Sequence, residues 1–459
     1  SLKGKITIIN SLLLPKIIYP ATCLHVPQRV IDEVDSLLFK FLWDYKPSKI
    51  RRDVIIRKIN QGGLKMPDLK LKIESWKSLW IKRADLSEPD SIWMCIVNEF
   101  LPKNISFKLL LRSRPSREYI VSLQLLPAFY KEILLIWHKL LDHTEVKDSC
   151  DVCNEVIWMN KFVTIENKCI AWKKWQDAGI LYINDLLNEH SSYKTPDQFL
   201  SDCNLGTNFL EVLQIRQALP RPWREMLRES NYQRVNITDN IFIQIGGSYR
   251  LLRKIKTKEL YWFSIQNLPS ALTKPAGQVK WENELGLPDD NTFQLIYQVP
   301  FTCCRYTKLQ SFQYKILQRI IPCNYWLFKM KIHESGHCSF CPQIDSIQHY
   351  FFECPDTLRF WATFYEWWNS LNVLPIEEYK ITDILFGYPG KDSSIMVLNY
   401  IIIIAKYHIY KQKQYRVNPF FPQMLIELKN QLFIDESISI KNGQHSQFLN
   451  KYAFVYNKL

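Results

Sequence analysis

Four residues constrain this chain more than any others. Cys338-Ser339-Phe340-Cys341 is followed after seven residues by His349, and after four more by Cys354. A C-x2-C turn sets two thiolates on one tight loop, and the H-x4-C pair returns two further ligands to complete a tetrahedron. Four protein ligands leave no open coordination position, so the spacing predicts a structural zinc that contributes folding free energy rather than Lewis-acid chemistry. The competing account makes these cysteines buried apolar residues. His333 and His337 are alternative ligands, although His337 abuts Cys338 and would strain the chelate. A second C-x2-C, Cys150 and Cys153, has Cys169 downstream but no fourth ligand at comparable spacing, and its role stays open. Cys303-Cys304 is a weaker candidate still.

Around this site the pattern is helical. Val30, Val34, Leu37, Leu38, Phe41 and Leu42 recur at the spacing of one apolar helix face, beginning after Pro27. Lys5–Leu14 reads as a helix that ends before Pro15. Ile50–Ile59 reads as a short extended stretch broken by Gly62-Gly63, and Pro67-Asp68 opens a helix running to about Arg83. Later helices are predicted around Leu309–Ile320, Pro355–Leu371 and Val397–Lys413, while the last 35 or so residues are expected to fray. Trp137, Trp158, Trp172 and Trp175 mark apolar faces in between. The expected fold is mainly α, with several packed helical subdomains and a small zinc knuckle at 338–354 in the last. The boundaries read as a basic helical unit over 1–83, a helical connecting region over 84–245, and a C-terminal domain over 246–459, after the Gly246-Gly247 turn.

Of the 459 residues, 47% are hydrophobic and 14% aromatic, which excludes a disordered chain. Charge is unevenly placed. Residues 1–83 hold 17 Lys and Arg against 7 Asp and Glu, an excess of 10 within a total of +14. Such a concentration suits a phosphate backbone, and it equally suits a solvated basic face. Arg51, Arg52, Lys70, Lys72, Lys77 and Lys82 are the candidate phosphate contacts. Without a secretory leader, twelve cysteines point to a reducing interior, nucleus and cytoplasm, rather than to a disulfide scaffold. The apolar run Ile401–Ala405 is short of the roughly 20 residues that span a bilayer. With Lys406, Lys411, Lys413 and Arg416 behind it, it reads as a buried helix with a basic end, and no membrane partner is expected. The chain opens on Ser1 in mid-pattern, so it is read as part of a longer product.

No catalytic centre emerges. Asp289-Asp290 is the one adjacent carboxylate pair that resembles a polymerase metal-binding dyad. It follows Gly286-Leu287-Pro288 and precedes Asn291, a turn composition, whereas such a dyad needs a tight hairpin between strands. A Gly-rich phosphate loop, a G-x-S-x-G elbow and an H-E-x-x-H pair are all missing. The chain alone is not expected to be an enzyme.

Three blocks resemble the second-reading-frame polyprotein of LINE-type (non-LTR) retrotransposons. Ser1–Leu71, with Leu14-Pro15-Lys16-Ile17-Ile18-Tyr19, Phe39-Lys40-Phe41-Leu42-Trp43 and Gly62-Gly63-Leu64-Lys65-Met66-Pro67-Asp68, is similar to the thumb that follows a reverse transcriptase palm. Trp158-Met159-Asn160 through Trp175 to Asp185-Leu186-Leu187 is similar to the post-thumb region. Leu309–Trp361 resembles the reverse-transcriptase zinc-binding domain through Phe312-Gln313, Ile316-Leu317, Ile320-Ile321-Pro322, the four ligands and Trp361. The resemblance implies support of target-primed reverse transcription: RNA template and RNA/DNA duplex as partners, together with the upstream polymerase portion of the same polyprotein. The F/Y-x-D-D carboxylates and the endonuclease of that family belong upstream of Ser1 and are absent here. On this reading the basic residues contact phosphates, and Phe340 either stacks on an unpaired base or packs beneath the metal loop. A co-opted, zinc-stabilised protein-interaction scaffold without a polymerase role is the alternative.

Overall fold

The computed structural model describes residues 1–88, 91–142, 144–229, 241–245, 248–269, 273–286, 290–456 and 458. They form two compact units, each assembled from separate stretches of chain. The first comprises Ser1–Leu14, Asp35–Pro67 and Pro269–Leu459, and the second Pro15–Val34 and Asp68–Leu268. The fold is mainly α, as the periodicity requires. Strands among the described residues make two antiparallel hairpins, Thr164–Ile165 with Lys168–Cys169 and Phe242–Ile245 with Ser248–Leu251.

The first unit is built on the helix Ser393–Gln414. Its apolar run Ile401–Ala405 is buried with Val397, Leu398 and Ile409, so the predicted buried helix is observed. The helix is 22 residues long, enough by length to cross a bilayer, but its surface is largely covered by the unit's own core. Thr307–Leu317 and Pro355–Ser370 pack with it through Phe312, Ile316, Phe360, Trp361 and Phe364. The C-terminal stretch does not fray. Phe421–Lys441 and His445–Tyr456 are helices, and Met424, Leu428, Phe448, Tyr452 and Val455 bury enough apolar surface to hold them on this core.

Two expectations near the N-terminus are corrected. The predicted Lys5–Leu14 helix does not stop at Pro15: helix continues from Leu2 to Cys23 through a π-turn at Ile9–Leu13. Pro15 falls at the start of the segment after that turn, where a missing N–H costs least. Ile50–Ile59 is not extended but forms a helical turn, Arg52–Ile55, and a 3-10 turn at Ile59–Gln61. The chain then doubles back, with Leu64 and Met66 both donating N–H bonds to the Ile55 carbonyl at 3.0 and 3.1 Å. Gly63 makes this approach possible, because a Cβ there would lie 2.2 Å from the Arg57 carbonyl oxygen.

In the second unit Leu69–Leu86 is capped by Asp68, whose carboxylate accepts from Leu71 N at 2.9 Å. This helix packs against Ala128–Leu141 in a core that includes Ile81, Phe107, Ile133 and Trp137. A neighbouring core gathers Trp158, Trp175, Phe199 and Trp223, so the tryptophans do mark buried faces, with Trp172 at the margin. The helix Gln28–Leu42 forms as predicted, but its stripe is displaced. Ile31, Leu38, Phe39 and Leu42 are buried, while Val30 and Leu37 are exposed. Gly246-Gly247 and Asp289 lie outside the described residues, as does the side chain of Asp290.

Candidate metal centre

The ligand set is made by two short pieces of local structure. Cys338 N donates to the Gln343 carbonyl at 2.8 Å, and a bridge joins His337 to Ile344, which folds the Cys338–Cys341 segment into a tight loop. The other two ligands flank a π-helical turn, His349–Glu353, in which Cys354 N donates to the His349 carbonyl at 3.1 Å. The wider π-turn brings residues five apart onto one side, which is the physical meaning of the H-x4-C spacing. Cys354 then starts the helix Pro355–Ser370, with Pro355 in its first turn.

Cys338, Cys341, His349 and Cys354 place their ligand atoms within 4.8 Å of one another; among the described residues no other group of three or more His, Cys, Asp or Glu converges in this way. Cys338 Sγ lies 3.9 Å from Cys354 Sγ, and Cys341 Sγ lies 3.2 Å from His349 Nε2. Zinc–thiolate bonds of about 2.3 Å in a tetrahedron would separate sulfurs by about 3.8 Å and sulfur from nitrogen by about 3.5 Å. The donor set fits such an ion, the sulfur–nitrogen edge being a few tenths of an ångström short. The Cys338 thiol beside it, with His349 and Lys413, draws the Cys354 thiol far down toward thiolate. The same contact holds the Cys338 thiol up, so one proton of the pair must leave when both act as thiolate ligands.

The site rests on the core of its unit. Trp361 Nε1 donates to the Phe351 carbonyl at 2.7 Å, and Lys413 Nζ donates to the Tyr350 carbonyl at 2.8 Å. His333 and His337 are not part of the cluster; each turns its Nδ1 to Ser335. Cys150 is exposed and Cys153 is buried in an apolar core, and with Cys169 they form no metal cluster. Burial pushes the Cys303 and Cys304 thiols up to about 12, which makes them inert core residues.

The predicted phosphate contacts are less uniform. Lys70 is exposed and makes no ion pair among the described residues. Arg51 and Arg52 are exposed, but Arg51 pairs with Asp53 at 2.8 Å and Arg52 with Asp35 at 2.8 Å, its guanidinium 4.3 Å from the Phe39 ring. Lys72 is half-buried over the Tyr261 ring at 4.0 Å, and Lys82 Nζ donates to the Ile255 carbonyl. Lys77 corrects the expectation outright. It is fully buried and paired with Glu132, so the Leu69–Leu86 helix does not display it. Phe340 is half-buried at the rim of a cavity beside the metal loop. Sequence reasoning passed over Asp345, a buried residue that lines the same cavity and whose Oδ2 accepts from Asn324 N at 2.9 Å. Its position between the ligand pairs was the only available signal.

Comparison with known proteins agrees with this geometry. Residues 287–361, which enclose all four ligands, match the family model described as zinc-binding in reverse transcriptase. The chain is also 24% identical over 198 residues to the Transposon TX1 uncharacterized 149 kDa protein of Xenopus laevis, a match covering 42% of this chain and 15% of that protein. Residues 287–361 are thus similar to a zinc-binding region found in reverse transcriptases. The chain spans a small part of the length of that relative.

Proposed function

We propose that this chain is the thumb-to-C-terminal portion of a retrotransposon reverse transcriptase polyprotein, which grips the RNA template and RNA/DNA duplex during target-primed reverse transcription in the nucleus and cytoplasm. The observation that carries this reading is the closed four-ligand cluster lying inside the match to the zinc-binding region. Cys338, Cys341, His349 and Cys354 would hold one zinc. With every tetrahedral position taken by protein, the ion supplies folding free energy by tying the loop to the start of the Pro355–Ser370 helix. Catalysis belongs to the upstream polymerase portion, the intramolecular partner in this reading. This chain alone is expected to show no primer extension.

Binding is electrostatic and sequence-tolerant at exposed basic residues on each unit. Lys70 is the cation best placed to meet a phosphate, with Arg51 and Arg52 able to exchange their carboxylate partners for one. Phe340 offers an aromatic face for an unpaired base. The test is RNA affinity as a function of salt. A steep linear fall of log K with log salt is expected, and absence of binding at low salt overturns the reading in favour of a zinc-stabilised interaction scaffold.

A further inference from the structure

The helix Phe421–Lys441 is held to its unit by one face and open on the other. Met424, Leu428, Leu432 and Ser439 are buried. Ile426, Phe433 and Ile440 are 61%, 62% and 57% exposed. Seven-residue steps return to nearly the same side of a helix, with a drift of about 20° per step, so these three form one line along the open face. Asn430 and Ser437 stand exposed beside that line, and Ile434 and Ile438 widen it on the same flank. A solvated helix face carries polar residues at its centre, whereas this one carries two isoleucines and a phenylalanine. The five apolar side chains together expose on the order of 500 Å², the size of patch that marks an interaction surface.

The order of the stripe selects its occupant. Ile, Phe and Ile at equal seven-residue steps read the same from either end. A second copy laid antiparallel across a two-fold axis at Phe433 sets Phe433 against its own image and Ile426 against Ile440 of the second copy. The same register matches both flanks. Lys429 comes within one residue, along the axis, of Glu436 of the second copy, and Asn430 comes equally near Ser437 of the second copy. Opposite charges therefore meet at one edge and hydrogen-bonding groups at the other. Glu436 is held at that edge, with Oε2 accepting from the Tyr456 hydroxyl at 2.9 Å and Oε1 3.1 Å from His445 Nε2. We propose that this face is a homodimer interface, formed by the antiparallel pairing of two Phe421–Lys441 helices. Joining the two patches buries about 1,000 Å² in all, the lower limit for a specific complex, so the dimer forms at micromolar chain concentrations.

Sedimentation equilibrium of the zinc-loaded full chain, over about 1–100 µM, reads the association. A monomer–dimer equilibrium with a dissociation constant of about 10 µM is expected. Phe433→Glu sets two carboxylates at the axis and is expected to raise that constant at least about a hundredfold. Bound zinc and helix content should not change in this variant, because the side chain is exposed in the monomer. Ile92→Glu, at an apolar residue 80% exposed in the other unit, is expected to leave the constant where it was. Orientation is read with a photoreactive benzoylphenylalanine at position 426, which is expected to join the peptide holding Ile440 of the second copy. A chain that stays monomeric at about 100 µM overturns the pairing and leaves the face to a different partner. A dimer that Phe433→Glu does not weaken, or a crosslink from position 426 to the peptide around 426, overturns it as well. RNA binding and zinc content are measured separately, so the pairing stands or falls without them.

Discussion

Arg114 and Glu155 are joined by a two-point ion pair in the second unit. Arg114 Nε donates to Glu155 Oε1 at 2.8 Å, Nη2 lies 2.7 Å from the same oxygen, and both side chains are about nine-tenths buried. Arg114 Nη1 also donates to the Thr144 carbonyl at 2.8 Å, and Asn160 Nδ2 donates to Glu155 Oε2 at 3.1 Å. Burial raises the Glu155 carboxyl above its ordinary value, against the pull of Arg114. Removing one partner strands the other in low dielectric. Glu155→Ala is therefore expected to cost about 3–5 kcal/mol of stability, and the double replacement Arg114→Met, Glu155→Leu to recover most of it. Urea unfolding followed by tryptophan fluorescence decides the matter, and a near-neutral Glu155→Ala would contradict the buried pair.

For the metal centre the expected stoichiometry is one zinc per chain, read by elemental analysis of purified protein. Cys341→Ser and Cys354→Ser should each bring bound zinc close to zero. A structural site contributes on the order of 10 kcal/mol to the folding of the segment it closes. Chelation should accordingly expose the Cys338 and Cys354 thiols to alkylation, where the metal-loaded chain protects them.

Lys406 sits wholly buried in the Ser393–Gln414 helix, with Nζ donating to the Leu385 carbonyl at 3.0 Å. Burial lowers its pKa from 10.5 to about 7. Between these values the unfolded chain binds a proton that the folded chain does not, so stability from this group rises with pH from about 7 to about 10.5. Below about 7 the folded state carries a buried ammonium, and the difference is on the order of 5 kcal/mol. Lys406→Met should be more stable than the parent near pH 6, with the gap closing toward pH 10. Parallel unfolding midpoints that keep one gap at every pH would show that the amine is not titrating there.

Lys70 and Lys77 lie on the same helix and should behave in opposite ways. Lys70→Ala is expected to weaken RNA binding and to reduce the salt slope by about 0.7, the share of one phosphate contact on a single strand. Lys77→Met should leave the slope alone and change stability instead, because its ammonium already faces Glu132 inside the fold. A salt slope that falls in Lys77→Met and holds in Lys70→Ala would reverse the assignment.

The ligands were legible in the sequence because metal geometry imposes close spacing along the chain, and the π-turn at His349–Glu353 is local too. Helices were legible for the same reason, their period being set by near neighbours. Failures came where a distant segment decides the outcome. Lys77 reads as surface charge until Glu132 arrives from another helix, and the stripe of Gln28–Leu42 shifts to Ile31 and Phe39 because packing partners, not period, choose the face. Gly63 could be read as a break, but not as the contact with Arg57 that folds the chain back. Asp345 gave no signal beyond its place between ligands, since its bond to Asn324 N, 21 residues away, forms only in the folded chain.

The interleaving of the two units has a consequence for synthesis. Ser1–Leu14 and Asp35–Pro67 leave the ribosome well ahead of the rest of their unit, which begins only at Pro269. At roughly 5–20 residues per second, those segments wait on the order of 10–40 s for the chain that covers them. Through that interval Leu2, Ile6, Ile9 and Leu14, all buried in the finished fold, stand open to water and to one another. The second unit, complete at Leu268, can close within the same interval, so the nascent chain carries a finished fold and an unfinished one at once.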